Sequence, residues 1–449
     1  MAAIDQESSL KTSPELIEAK LRSLFLARST ERSESEPGWL ALVRKNAFER
    51  FLDKGFPTTR DEDWRFTNVG AIASRAFELA SGGAEAEDAA RTLLASLGLE
   101  ALSRHELVFV NGQFSQELSS LSDLPDGVVV SSLESAWSHS VEELQPVLCR
   151  SPSDETAFFD LNEAFVTDGA FVHIGKGVVV DAPIHCVFLT VPTGEPCVHY
   201  PRNVIVAGEQ SEVRIIETYA GLEGSIYFTN AVTQLVARPG SVVDHYKVQL
   251  ESAKAFHVAS LDFSQERGTS VSSHSLSIGA ALARNDIRVE LGGEGADVTL
   301  NGLYVVRGSQ HVDHHTLIDH QVAHCTSREL YKGVLDDEAS GVFNGRVIVR
   351  AGAQKTDAKQ SNKNLLLSRE ALVNSNPQLE INADDVKCAH GATIGQLDEE
   401  ALFYLRSRGI GVGEARKILT EGFMADVSDR IRVDAVRKAL PRLLFKDAA

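Results

Sequence analysis

The chain has 449 residues, of which 43% are hydrophobic and 24% charged, and its formal net charge is −19. This acidic balance argues against nonspecific binding to nucleic acids or anionic membranes, because phosphate groups attract clustered Lys and Arg. No apolar run reaches the roughly 18 residues of a transmembrane helix, and the mixed-charge start MAAIDQESSLKTSPEL lacks a signal-peptide or transit pattern, so we expect a cytoplasmic protein.

The first part of the chain, up to about residue 80, has helical periodicity. Pro14 opens PELIEAKLRSLFLAR, and the segment WLALVRKNAFERFLDKG indicates a second helix that ends at Gly55. A mixed region follows and includes the strand-like segment HELVFVNGQF at 105–114. We therefore predict an N-terminal, mostly helical domain over residues 1–164.

From about residue 165 the pattern changes to short β-branched runs that alternate with turns. The turns RPGSVV, ERGTSV and GEGADV recur at Gly240, Gly268 and Gly295, which are 28 and 27 residues apart, and GEQSEV at Gly208 fits loosely. Such a recurring strand–turn unit favours a stacked β-solenoid, with a large β-sandwich as the alternative. We expect this β core to span residues 165–397.

The last part of the chain, residues 398–449, returns to helical periodicity. Ala415, Ile418 and Phe423 fall on one helix face, and Gly409 to Gly413 mark a break between helices. This amphipathic C-terminal domain would either pack on its own β core or dock a partner, and the sequence leaves both open.

The stretch HVDHHTLIDHQVAHC, residues 311–325, concentrates five of the fourteen histidines. Strand alternation would place His311, Asp313 and His315 on one face and His314 and His320 on the other, which separates the candidate ligands. No HExxH or comparable metal-binding spacing is present. The pattern therefore favours hydrogen-bonded or solvated histidines on a β-surface over a metal site.

The segment NADDVKCAHGATIG places Cys388 and His390 two residues apart. On an extended strand both side chains point the same way, about 7 Å apart. A thiolate and an imidazole suit iron or an iron–sulfur fragment, but two ligands do not complete a tetrahedral site. The other ligands would come from a second chain; alternatively, Cys388 is inert and His390 is a surface residue.

The five cysteines are scattered, without a CxxC pair, which argues against a disulfide framework or a zinc knuckle. Neither GxSxG nor GxxxxGK[ST] occurs, so the chain shows no hydrolase elbow and no nucleotide-binding P-loop.

Three segments resemble the SufB/SufD family of iron–sulfur cluster assembly proteins. They are DEDWRFTN at 61–68, DHHTLIDHQVAHCTSRELYKGVLDDEASGVFNGRVIV at 313–349, and KTDAKQSNKNLLLSREALVNSNPQLEINADDVKCAHGATIGQLDEEALFYLRSRGI at 355–410. The chain lacks the cysteine-rich segment common in SufB proteins and keeps the Cys-x-His of the SufD branch, which it therefore resembles more. The resemblance implies a right-handed parallel β-helix flanked by helical domains.

The resemblance also implies a noncatalytic scaffold that pairs with SufB and docks the ATPase SufC, where ATP hydrolysis would take place. His390, with Cys388 beside it, would lie at the SufB interface, where a transient Fe–S cluster forms. Helices at 398–440 would contact SufC; the residues expected there are Arg406, Arg408, Gly409, Ile418 and Phe423.

No tightly bound cofactor is expected on the isolated chain, although the resemblance implies a reduced flavin on the complex. An open β-helix edge would also permit a homodimer when the chain is alone. Two other function classes are kept as alternatives. One is a β-helix carbohydrate-active enzyme, against which stand the absent secretion signal and only 7% aromatic residues. The other is a stand-alone metalloprotein that uses residues 311–325.

Overall fold

The computed structural model describes residues 14–32, 36–99, 102, 104–150, 156–192 and 194–444. In its N-terminal part, helices alternate with short strands. The elements are α1 (Pro14–Arg32), α2 (Gly38–Lys54), a 3₁₀ turn (Glu62–Trp64), α3 (Gly70–Ala73), β1 (Glu78–Leu79), α4 (Ala84–Leu97), β2 (His105–Val110), β3 (Gln113–Leu121), β4 (Val128–Ser132), α5 (Leu133–His139), α6 (Val141–Leu148) and α7 (Ala157–Phe165).

The structure has the predicted helix end at Gly55 and divides the predicted strand at 105–114. Helix α2 ends at Lys54, and Gly55 follows with a φ of 67°, a conformation that glycine adopts without a Cβ penalty. The predicted strand at 105–114 is divided by a turn at Asn111 and Gly112 into the antiparallel pair β2 and β3. The predicted domain boundaries themselves remain predictions.

The middle of the chain is a β-solenoid. Its strands are β5 (Ala170–Ile174), β6 (Ile184–Thr190), β7 (Cys197–His199), β8 (Arg202–Ala207), β9 (Glu212–Gly221), β10 (Tyr227–Ala237), β11 (Val242–Glu251), β12 (Phe256–Gln265), β13 (Ser270–Gly279), β14 (Leu282–Leu291), β15 (Asp297–Val306), β16 (His311–His320), β17 (Thr326–Leu335), β18 (Ser340–Val349), β19 (Asp357–Leu366), β20 (Leu372–Ile381) and β21 (Lys387–Gly395).

Successive strands alternate between two sheets, which identifies a solenoid and not a sandwich. Sheet A runs β4-β5-β8-β10-β12-β14-β16-β18-β20, and sheet B runs β3-β2-β6-β9-β11-β13-β15-β17-β19-β21. Within each sheet the strands from β8 or β9 onward pair in parallel. Alternate side chains point between the sheets and form one apolar core along the solenoid. The predicted β-solenoid with helical flanks is confirmed.

The recurring turns stack on one another, as their spacing predicts. Gly240, Gly268 and Gly295 have φ values of 72°, 66° and 75°, in the left-handed region that favours glycine. In the loosely fitting turn at Gly208, the residue with positive φ is Gln210, at 56°. Each of these turns therefore contains one residue in the left-handed conformation. The sequence identifies that residue only where it is glycine.

The N-terminal helices cover part of the outer face of sheet A. Helix α7 packs between α2 and strands β10 and β12. A buried ionic network strengthens this contact: Arg50 bonds Asp160 at 2.7 Å and Glu163 at 2.6 Å, and Glu163 also faces Arg202 at 3.3 Å. Buried charges are tolerated here because each is paired.

The C-terminal helices are α8 (Glu399–Ser407), α9 (Val412–Ser428) and α10 (Asp434–Leu444). Side chains of α9 and of the segment after it, among them Met424 and Ile431, pack on the outer face of sheet B. Buried Lys332 donates hydrogen bonds of 2.6 Å to the Phe423 carbonyl and to Asp426. The structure therefore shows that α9 and α10 pack on the chain's own β core.

Candidate functional site

The solenoid ends without a cap in the described part of the chain. Strand β20 pairs only with β18, and β21 pairs only with β19, so each has one free edge. Ile381 and Ile394, whose register partners Val349 and Asn364 are buried inside the solenoid, are 42% and 49% exposed at this end. Solenoids ordinarily cover such an end with a polar terminal repeat. This end is therefore an incomplete surface.

Cys388 and His390 lie on β21 at this uncapped end. Cys388 pairs in register with buried Ala358 and packs partly against the solenoid core. His390 pairs with Gln360, on the same side of the strand, and is exposed. Burial raises the pKa of the Cys388 thiol, and the backbone at Ala358 partly offsets that effect. The structure thus brings both predicted residues to one open face.

A buried polar column lies beneath His390. Gln360 Nε2 donates a 2.7 Å hydrogen bond to Glu329 Oε2, and these two residues stack in register below His390. Burial raises the pKa of Glu329 to about 7, and the hydrogen bond from Gln360 opposes this effect only in part. Sequence reasoning missed this carboxyl. The available signal was the spacing of 31 and 30 residues between positions 329, 360 and 390, which is close to the coil repeat.

The histidine-rich stretch forms strand β16 and divides between two faces, as alternation predicts. His314 and His320 are fully buried inside the solenoid, not on a β-surface as expected. Burial lowers the pKa of His314 to about 3 and that of His320 to about 4. His314 lies against the rings of Tyr304 and Tyr331, at centroid distances of 5.2 and 5.1 Å. The described residues contain no group of three or more His, Cys, Asp or Glu that could hold a metal ion.

The outward face of β16 holds the acidic-Trp segment DEDWRFTN. Thr67 Oγ1 donates to Asp313 Oδ2 at 2.5 Å and lies 2.9 Å from His311 Nε2. His315 Nε2 is 3.1 Å from the other oxygen of Asp313. Neighbouring Arg284 binds Asp313 at 2.8 Å and donates to the Asp63 carbonyl at 2.7 Å. Two sequence motifs that are 250 residues apart thus form one structural contact.

The C-terminal helices present a second candidate surface. Arg406, Arg408, Gly409 and Ile418 are exposed, whereas Phe423 is half-buried and packs toward this chain's own Lys332. The larger exposed apolar side chains, which sequence reasoning missed, are Phe403 (72% exposed), Tyr404 (56%) and Val412 (53%). An exposed apolar and basic patch of this kind is typical of a protein-binding surface. The five residues predicted to contact a partner remain a prediction.

The sequence of this chain matches the models of one protein family. Residues 190–423 match the family described as "SUF system FeS cluster assembly, SufBD core domain", and residues 15–186 match "SufBD protein N-terminal region". The chain is 32% identical to an iron–sulfur cluster assembly SufBD family protein of Synechocystis over 91% of both chains. It is 30% identical to SufD of Escherichia coli, over 92% of this chain and 93% of that protein. SufD of Bacillus subtilis is 27% identical, over 92% and 95%.

These matches cover most of the chain, including the uncapped end. The chain belongs to the SufBD family of iron–sulfur cluster assembly proteins. This membership separates it from the carbohydrate-active β-helix enzymes considered as an alternative. None of the described helices is both long and apolar enough to cross a membrane.

Proposed function

We propose that this member of the SufBD family is a SufD-type scaffold subunit, without catalytic chemistry of its own, that pairs with a SufB protein and docks a SufC ATPase in the cytoplasm. The observation that carries the proposal is the uncapped solenoid end, where β21 presents Cys388 and His390 beside two free strand edges. An interface that forms a cluster needs a strand edge that the partner can join, and it needs metal ligands to which the partner adds its own.

The free edges of β20 and β21 suit pairing with strands of another chain. Unpaired strand edges offer backbone N–H and C=O groups that continue a sheet across an interface. The exposed apolar residues at this end, Leu372, Ile381 and Ile394, would be covered by the partner. Pairing with SufB would thereby extend both sheets and close the solenoid.

Cys388 and His390 would contribute two ligands to iron and sulfide, which are the substrate of this assembly. The raised pKa of Cys388 keeps the thiol protonated in the free chain, and iron binding would displace the proton, since metals bind the thiolate. A [2Fe–2S] or [4Fe–4S] cluster is ordinarily held by four protein ligands, and SufB would supply the two that this chain lacks. The cluster would therefore form only when the two chains are together.

The patch on α8 and the start of α9 would contact SufC. It includes Phe403, Arg406 and Val412, while the rest of α9 packs on sheet B. A conformational change in the ATPase would be transmitted to the solenoid through α8 and α9, and it would weaken the contact between this chain and SufB. ATP hydrolysis would belong to SufC, and the expected reduced flavin on the complex remains a prediction.

Co-expression with SufB and SufC, followed by affinity purification and native mass spectrometry, tests the proposal. Point variants are preferable to deletion of the C-terminal helices, because Met424 and Ile431 are buried against sheet B. We expect Ile394→Asp to lose SufB but keep SufC, and Phe403→Asp to do the opposite. Leu42→Asp, which charges an equally exposed apolar residue on α2, is the matched control and should keep both partners.

If Ile394→Asp is the only variant that loses SufB, the result would support SufB pairing at the uncapped end. If both variants retained both partners, or the unaltered chain bound neither, the scaffold proposal would have to be abandoned.

A further inference from the structure

A groove of about 770 Å³ lies between the acidic-Trp segment and the outer face of sheet A. Residues 62–67 form one wall, and the outward side chains of β12, β14, β16, β18 and β20 form the floor. Phe159 of α7 also lines the groove.

The groove floor is rich in side-chain amides, which lie beside one another because strands β18 and β20 pair in parallel. Asn344 lies beside Asn376, and Arg346 lies beside Gln378, on adjacent strands about 4.8 Å apart. Asn344, Asn374, Asn376 and Gln378 make no side-chain hydrogen bond to any other residue that the structure describes, and all four line the groove. Each amide offers both a donor and an acceptor, which matches the alternating groups of a peptide backbone.

A buried carboxylate lies in the same lining. Asp262 is only 6% exposed, and its Oδ1 atom has no hydrogen-bond partner among the described residues. Burial raises the pKa of Asp262, while Arg150 and Arg288 lower it. An unsatisfied buried acceptor is unfavourable, and a charge-assisted donor would satisfy it best.

The aromatic residues of the groove do not suit a sugar. The Trp64 ring is only 5% exposed, with the Arg284 guanidinium 3.7 Å from its centroid and Phe158 at 5.4 Å. Phe66 is exposed at the rim, but Arg65 lies 5.5 Å from its ring. The stacking faces that carbohydrate binding uses are therefore largely occupied, whereas an apolar side chain can still contact the edge of Phe66.

The charges of the groove do not suit a polyanion. Five carboxylates line it: Glu62, Asp63, Asp262, Asp286 and Asp313. Of the arginines, Arg284 is already bound to Asp286 and Asp313, and Arg346 to Glu380 at 2.6 Å. With Arg65 and Arg288, four arginines line the groove against five carboxylates, so the carboxylates are in excess by one. This excess disfavours a phosphate group and favours a cationic side chain.

We propose that this groove binds an extended peptide segment of a partner protein, with an Arg or Lys side chain of the peptide donating to Asp262 and its backbone pairing with the floor amides. Asn374, Asn376 and Gln378 lie on the edge strand β20, but their side chains line the outer face of sheet A, whereas SufB pairing would use the backbone at the free edge of that strand. This inference therefore does not rest on SufB pairing.

Fluorescence anisotropy with the full chain tests the proposal. The probe is a fluorescein-labelled heptapeptide library with arginine fixed at the centre and the flanking positions varied in turn. We expect a subset of the library peptides to bind the chain with a saturable increase in anisotropy. For the best of them, replacing the central arginine by citrulline should weaken binding about tenfold, the effect of about 1.4 kcal/mol.

Asp262→Asn should reproduce that tenfold loss for the arginine peptide and leave the citrulline peptide unaffected. Asn376→Ala should weaken both peptides, and Asn46→Ala, an exposed amide on α2 outside the groove, should weaken neither. If Asp262→Asn does not fold, the citrulline comparison and Asn376→Ala still decide the matter.

Three results would overturn the proposal. The first is that no library peptide gives saturable binding. The second is that binding is indifferent to both citrulline and Asn376→Ala. The third is binding of a glucan hexasaccharide that Asn376→Ala abolishes, which would assign the groove to carbohydrate instead.

Discussion

The guanidinium of Arg284 lies 3.7 Å from the ring centroid of Trp64, and this contact joins the N-terminal segment to the solenoid. The same guanidinium binds Asp286 and Asp313, so a cation–π contact and two ion pairs meet at one buried side chain. Arg284 thereby links the acidic-Trp segment to the histidine-rich strand, since each supplies part of its surroundings.

Arg284→Ala should lower the free energy of unfolding by about 3–5 kcal/mol, because it leaves Asp313 buried without its cation. Urea denaturation followed by tryptophan fluorescence measures this change. Arg65→Ala, an exposed neighbour of Trp64, should change stability by less than about 0.5 kcal/mol. Equal effects of the two variants would show that the buried contact contributes little.

Glu329→Gln should make the chain more stable at pH 8 and change it little at pH 5. Burial raises the folded pKa of Glu329 to about 7, above an unfolded value of about 4.3. The folded chain therefore favours the protonated carboxyl, and stability falls as the pH rises from about 4.3 through 7. At about 1.4 kcal/mol for each pH unit between about 4.3 and 7, the variant should gain up to about 4 kcal/mol at pH 8.

Urea unfolding of both proteins across this pH range provides the measurement. Glu370→Gln serves as a control at an exposed position. A wild-type chain whose stability does not fall between pH 5 and pH 8, relative to the variant, would contradict the buried protonated state.

Thiol labelling with a chromogenic disulfide should distinguish the cysteines by their environment. Cys149 is exposed and should react first, half-buried Cys388 should react more slowly, and Cys186, Cys197 and Cys325 should react only on unfolding. Binding of SufB should protect Cys388 and leave Cys149 reactive. Cys388→Ser identifies the protected signal; protection of Cys149 instead would place the interface elsewhere.

His390→Ala should keep the complex with SufB and SufC intact but lower its yield of assembled clusters by about tenfold or more, since a lost ligand of 1.4 kcal/mol already gives that factor. Cluster yield is followed by absorbance and iron content of the purified complex. His324→Ala, an exposed histidine in a solenoid turn, is the control and should be silent. Full cluster yield from His390→Ala would remove this residue from the mechanism.

The sequence by itself determined the architecture and pointed to one pair of candidate functional residues. Glycines at 240, 268 and 295 mark left-handed turns at a nearly constant spacing, and only a stacked coil places such turns on one another. Cys388 and His390 share a strand face because side chains alternate with a period of two. Turn conformation and side-chain alternation depend on residues that are close in sequence, so both can be predicted without knowledge of the tertiary contacts.

Tertiary structure alone decided which residues act together. Sequence periodicity could divide the histidines of β16 between two faces, but it could not show that one face is buried beside Tyr304 and the other holds Thr67. Nor could it show that Glu329 lies beneath His390, since these two residues are 61 positions apart and are brought together only when successive coils stack. Burial, which raises the pKa of Glu329 and leaves Asp262 unsatisfied, is a property of the packed molecule and not of any segment.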